Sequence, residues 1–134
     1  MPPIALFHGS QNGDLKILRP QGTRPVFASP DPVLALAFSR PWSDRELEFG
    51  WIGKGPWRFR EMVPGALKLL EGPGHLYAIV DARSFVPRPL GKGLGPDEWT
   101  STKPAPVVKI ATIDNVIAAL VTAGVKMIPK RRKR

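Results

Sequence analysis

Sixteen prolines and thirteen glycines punctuate this 134-residue chain. A backbone interrupted this often cannot sustain long regular elements. Proline removes a donor and clashes with the preceding helical turn, and glycine adds conformational entropy that folding must overcome. Because these residues sit between short apolar runs, the pattern predicts brief strands and helices joined by stiff turns, not a low-complexity segment. With 43% hydrophobic and 23% charged residues there is enough apolar surface to drive collapse into one domain over residues 1–129. No apolar run approaches the roughly 20 residues that span a bilayer, and no signal peptide opens the sequence, so a soluble cytoplasmic protein is expected. Cysteine is absent, which excludes disulfides, a thiol nucleophile and Cys-ligated metal. His8 and His75 are too few for a multi-histidine zinc site, and no metal is expected.

Ile4 to Phe7 reads as a buried strand that breaks into a turn at His8-Gly9-Ser10, and Pro25 to Ala28 as a second strand. Asp31 followed by Pro32 has the chemistry of a helix entry, an N-cap acceptor before a residue that needs no N–H partner. The run from Val33 to Phe38 is apolar on nearly every side, so this helix is expected to be buried. Residues 42–74, with Trp42, Trp51 and Trp57, are the least legible stretch, and a short helix from Pro64 to Leu70 is expected to close it. His75 to Val80 is rich in β-formers and reads as a central strand. A Pro/Gly-rich loop from Arg83 to Pro96 leads to Glu98-Trp99-Thr100-Ser101 and then a strand from Pro106 to Ala111. Asp114 is the expected cap of a helix through Val121, with Gly124 as its stop and Val125 to Ile128 as an edge strand. Strands and helices do not alternate regularly, so the expected class is α+β with an antiparallel-rich sheet and few short helices.

The formal charge is +9, and Lys130-Arg131-Arg132-Lys133-Arg134 concentrates much of it at one end. A run of like charge cannot pack on itself, so this segment is expected to be a disordered, solvated polycation. It is either a contact for nucleic acid or another polyanion, with salt-dependent affinity, or a solubilising terminus.

Phosphate-binding glycine loops, nucleophile elbows and metalloprotease helices are all absent from the sequence. The candidate chemistry lies instead in polar residues near strand ends: His8-Gly9-Ser10, Ser29, and Glu98 with Trp99, Thr100 and Ser101. Taken singly, each has an ordinary structural explanation, and spacing alone defines no enzyme. Taken in order they resemble a known group. Leu6-Phe7-His8-Gly9-Ser10 resembles the "YHGT/YHGS" opening strand of the diphtheria-toxin-like ADP-ribosyltransferases, which include the poly(ADP-ribose) polymerases and the small bacterial rifampin ADP-ribosyltransferases. Val26 to Asp31 with its alanine-rich helix is similar to their second strand and helix. His75 to Asp81, with Tyr77, resembles the next central strand. Asp97 to Ser101 resembles the glutamate-bearing strand of the polymerases.

The resemblance implies a split sheet that grips NAD, as substrate, between its halves. His8 would bond the ribose next to nicotinamide, the Gly9 backbone would hold the carboxamide, an aromatic from the second strand would stack on nicotinamide, and Glu98 would bond the ribose 2′-hydroxyl and catalyse. Ser10, Ser29, Tyr77, Trp99, Thr100 and Ser101 complete the expected NAD-binding set. The chain departs from the family where a stacking tyrosine is usual, with Val26 or Phe27 in its place. It also offers only Arg88 where the rifampin enzymes carry an aspartate, so rifampin is not expected as acceptor. The acceptor, whether protein, nucleic acid, small molecule or water, is not written in the chain. A competing reading is a non-catalytic basic module docking on nucleic acid or a nucleic-acid-associated protein through exposed tryptophans and the tail. A weaker one is a relative that transfers an RNA 2′-phosphate using His8 with Arg19 or Arg24.

Overall fold

The computed structural model describes residues 5–51, 57–89 and 97–131. Ten short strands and two short α-helices appear among them, the longest strand being nine residues. Phe7–Ser10 (β1), Ile17–Leu18 (β2), Gly74–Ile79 (β6) and Ala105–Ile113 (β9) form an antiparallel sheet in the order β1-β6-β9-β2. A register shift between Leu76 and Tyr77 bends the β6–β9 pair, the local kink that a bulge introduces. Val26–Ala28 (β3), Val86–Pro87 (β7) and Trp99–Ser101 (β8) form a second antiparallel group in the order β3-β8-β7. Phe7 and Ser29 exchange backbone bonds of 2.7 and 2.8 Å, so the two groups touch where β1 meets the end of β3. The result is a strand-rich α+β domain with a curled antiparallel sheet.

His8, Gly9 and Ser10 lie within β1, not in a turn after it. Their backbone pairs with β6 in the register His8 to Tyr77, Gly9 to Leu76 and Ser10 to His75. Helix α1, Pro32–Ala37, crosses this strand at Gly9, where a Cβ would run into the Ala35 carbonyl. Asp31 caps α1 as its chemistry dictates, one carboxylate oxygen accepting from the Val33 N–H at 2.9 Å. The other accepts from the Trp57 indole at 2.9 Å and ties the helix entry to Trp57–Glu61 (β5).

The described part of residues 42–74 is built around a pair of antiparallel strands. Leu47–Trp51 (β4) pairs antiparallel with β5, and Lys126–Ile128 (β10) adds to the other edge of β5 in parallel. Phe59, Leu47, Leu36, Ala37, Leu70, Val116 and Leu120 form one core, and Leu6, Val26, Ala28, Tyr77, Phe85 and Val107 a second. The closing helix is a 3-10 turn, Ala66–Leu70. It starts later than Pro64 because Gly65 stands at φ +88°, outside helical space. The last helix, Val116–Thr122 (α2), has Asn115, not Asp114, at its N-cap. Asn115 Oδ1 accepts from the Gly72 N–H at 3.4 Å, and the Val116 N–H bonds the Gly72 carbonyl, so the helix start docks on a turn instead of capping itself. Gly124, at φ +96°, ends it as expected.

On β5 sits an inward carboxylate. Glu61 is only 6% exposed, and its oxygens accept from the N–H groups of Leu67 and Lys130, both at 2.8 Å. Burial alone would raise its pKa. The N–H groups of Leu67, Lys130 and Gly65 outweigh burial and hold it below the usual 4.5. Lys130 also reaches the Met62 carbonyl with Nζ at 3.2 Å. The expected free tail therefore does not begin at Lys130, which is bonded to β5 and the residue after it. Arg131 is exposed, and Arg132, Lys133 and Arg134 lie outside the described residues. A carboxyl group with a depressed folded pKa stabilises above its unfolded value and loses that contribution as pH falls through the folded pKa. Glu61→Gln is thus expected to lower the thermal midpoint at pH 7, with the gap from wild type closing below about pH 4.5, read from melts across that range.

Candidate functional site

A cavity of about 580 Å³ opens where β1, β3 and α1 meet, within the size range of small-molecule sites. His8 and Gly9 from β1, Phe27 and Ala28 from β3, Ser29 after it, and Glu98 before β8 line one part of it. Leu34, Ala35 and Phe38 of the α1 region, with Trp42, Asp44 and Phe49, line the rest.

His8 is positioned by β3, across the junction between the two strand groups. Its Nδ1 lies 2.7 Å from the Phe27 carbonyl. A carbonyl only accepts, so Nδ1 carries the proton and, in the neutral ring, Nε2 is left as an acceptor. Burial pushes the pKa below the usual 6.5, and the bond to Phe27 opposes this without cancelling it. A depressed histidine pKa means that the unfolded chain takes up the proton first. The neutral ring therefore contributes stability above about pH 6.5, and that contribution is lost as pH falls through the folded pKa. Urea unfolding from pH 7.5 to 5 is expected to show wild type losing more stability than His8→Gln over the acid half of that range.

Phe27 is 40% exposed although aromatic, with its ring against the cavity. The Arg88 guanidinium lies 5.2 Å from its centroid, a cation–π arrangement. The same arginine donates its backbone N–H to the Glu98 carbonyl at 2.8 Å and brings Nε to 3.6 Å from the Glu98 carboxylate. The Glu98 side chain is 15% exposed. An aromatic face, a carboxylate and an acceptor imidazole are thereby gathered around one cavity.

Other expected site residues are placed elsewhere. Tyr77 is fully buried in the second core. Its hydroxyl donates to the Asn12 carbonyl at 2.6 Å and accepts from the Leu15 N–H at 3.2 Å, so it pins the loop after β1 and does not face the cavity. Ser101 is buried, its hydroxyl 2.7 Å from that of Ser84 and bonded to the backbone of Lys103. Ser10 Oγ accepts from the Asn12 N–H at 3.0 Å. Thr100 pairs with Phe27 across β8 and β3, and Trp99 packs against the second core, neither lining the cavity. Ser29 does line it, but its hydroxyl accepts from the Asp31 N–H at 3.0 Å and shapes the entry to α1.

The aromatic wall was not anticipated. Phe38 stacks on Trp42 with centroids 5.4 Å apart, Phe49 meets Phe38 edge-on at 6.0 Å, and the Trp42 indole donates to the Ala37 carbonyl at 2.8 Å. Trp42 and Trp57 are half-buried in this cluster, so they are not the exposed interface anchors of the competing reading. The clustering of aromatics between Phe38 and Trp57 was the available signal. Among the described residues no group of three or more potential ligands gathers to hold a metal ion, and no helix is long and apolar enough to cross a membrane. Comparison with protein-family models, with curated proteins and with solved structures finds no match.

Proposed function

We propose that this cavity binds NAD and breaks its nicotinamide–ribose bond, making the protein an ADP-ribosyltransferase or NAD glycohydrolase of the ADP-ribosyltransferase-like class. The observation that carries the reading is that one cavity gathers His8, Gly9, Phe27 and Glu98 from separate parts of the chain. These are the residues to which the sequence resemblance gives the central roles. The chemistry of each suits its role. The Nε2 lone pair of neutral His8 accepts from a ribose hydroxyl. Gly9 lines the cavity without a side chain of its own, although it is buried and closely packed under α1. Phe27 offers a stacking face, having lost only the hydroxyl of the family's tyrosine.

In the reaction, the C1′–N bond electrons leave with nicotinamide, and C1′ develops oxocarbenium character. A nucleophilic group of the acceptor, or water, then forms the new bond to C1′ and gives up its proton to solvent. A fixed carboxylate near developing positive charge stabilises the transition state more than the ground state, which is what raises rate. Glu98, bonded to the 2′-hydroxyl, fills that role. Arg88 holds one face of Phe27, so nicotinamide stacks after the guanidinium swings aside or on the opposite face. The test is nicotinamide release from NAD by the purified protein, with and without candidate acceptors. Release above the spontaneous rate supports the reading, and none under any acceptor condition removes its catalytic part.

A further inference from the structure

The cavity has a part that the NAD reading does not use, and it repeats a pattern found beside the other part. The Arg88 guanidinium lies 5.2 Å from the Phe27 centroid, with its Nε 3.6 Å from the Glu98 carboxylate. One aromatic ring and one carboxylate thus hold a planar cation there. Elsewhere on the cavity wall the aromatic and the carboxylate are Phe38 and Asp44. Phe38 stacks on Trp42 at 5.4 Å yet stays 48% exposed, a large apolar ring kept at the surface. Trp42 is fixed in turn by its indole bond to the Ala37 carbonyl. Asp44 stands on a turn tied by Ser43, whose N–H and Oγ donate to Glu46 Oε1 at 3.1 and 2.9 Å. Ion pairs among the described residues engage Glu48, Asp81 and Glu98. The exposed Asp44 carboxylate has neither an ion pair nor a hydrogen bond among those residues.

We propose that Phe38 and Asp44 form a subsite for a guanidinium group, carried by an arginine side chain or by a small guanidino compound. Charge complementarity with Asp44 selects a cation, and the aromatic wall selects a flat one. A cation over a ring face is attracted by the ring's quadrupole, an attraction that a neutral isostere lacks. Guanidinium suits the pair better than ammonium does. It stacks on a ring, is more weakly hydrated, and keeps in-plane N–H donors for a carboxylate. Arg88 against Phe27 and Glu98 shows the same geometry within this fold. The stacked wall and the anchored turn hold both partners in place beforehand, which lowers the ordering cost of binding. The subsite needs no NAD, and it stands or falls without the dinucleotide.

The test is a titration of the full chain by proton–nitrogen correlation NMR, which reads weak binding and its location together. The probes are N-acetylarginine amide, its neutral isostere N-acetylcitrulline amide, N-acetyllysine amide and free arginine. The blocked arginine is expected to shift the Trp42 indole and Asp44 amide signals saturably. The citrulline compound should bind about tenfold more weakly, and the lysine compound should fall between the two. Asp44→Asn should weaken the blocked arginine on the order of tenfold and Phe38→Ala roughly threefold, while Phe38→Tyr keeps the affinity. Thermal melts confirm that the variants fold, as two exposed positions allow. Within a positive result, tighter binding of the blocked compound assigns the group to a protein side chain, and tighter binding of free arginine to a small metabolite. Equal binding of the arginine and citrulline compounds overturns the proposal, as does an affinity unchanged in Asp44→Asn. It is overturned too by no saturable shift at tens of millimolar of either arginine probe, or by adenosine binding more tightly than both.

Discussion

Replacing Glu98 by glutamine is expected to slow nicotinamide release from NAD by roughly 10²–10³-fold while changing NAD affinity by less than about threefold. Glutamine keeps the size of the side chain and an oxygen that accepts from a ribose hydroxyl. It removes the negative charge that matters as C1′ becomes cationic, so the loss should fall on turnover and not on binding. The Arg88 contact with Glu98 is long, at 3.6 Å, and the Glu98 side chain is only 15% exposed, so a thermal melt of the variant accompanies the kinetics. Steady-state kinetics with a parallel NAD titration separate the two effects. A variant that loses affinity and turnover together would make Glu98 a binding group. A variant that turns over like wild type would remove it from the chemistry.

Gly9→Ala is expected to be the most damaging single-methyl change in the protein. The new Cβ would collide with the Ala35 carbonyl of α1 and come within 3.1 Å of the Ser39 Cβ. A backbone carbonyl cannot rotate away as a side chain can, so α1 must lift from β1. Overpacking of this kind costs up to about 3 kcal/mol, which for a domain of this size is a fall of roughly 10 °C in the thermal midpoint. Because Leu34, Ala35 and Phe38 form the helix side of the cavity, the same displacement should weaken NAD binding. Differential scanning calorimetry reads the first effect and a ligand titration the second. Wild-type stability in Gly9→Ala would mean that the helix and strand are not in the contact described here.

The contrast between Gly9 and Asp31 shows which parts of the molecule were legible from residues alone. Asp31-Pro32 encodes a helix start locally, through a cap acceptor and a residue without an N–H, and α1 begins there. Gly124 likewise ends α2 through its own backbone freedom. Gly9 resembles a turn residue because glycine usually marks one. Here it serves close packing within a strand, a role set by a helix more than twenty residues later. Tyr77 reads as a cleft residue by its place on a central strand, yet its hydroxyl is engaged by Asn12 and Leu15, more than sixty positions away. The β4–β5 pair stayed obscure because its inward row includes Glu61. Burying a carboxylate is tolerable only with donors supplied by Leu67 and Lys130, which no local pattern announces. The candidate site divides the same way. His8, Phe27 and Glu98 stand in short stretches with recognisable neighbours. Phe38, Trp42 and Phe49 reach the cavity only through the packing of α1 against the β4–β5 pair.

Titrating the wild-type protein with NAD by isothermal calorimetry tests whether the cavity between β1, β3 and α1 is built for NAD. Saturable binding at one site per chain is expected, lost in Phe27→Ala and kept in Phe27→Tyr, since an aromatic face is what that position supplies. Absence of binding up to millimolar NAD by a folded protein, or binding indifferent to the loss of the Phe27 ring, would contradict it.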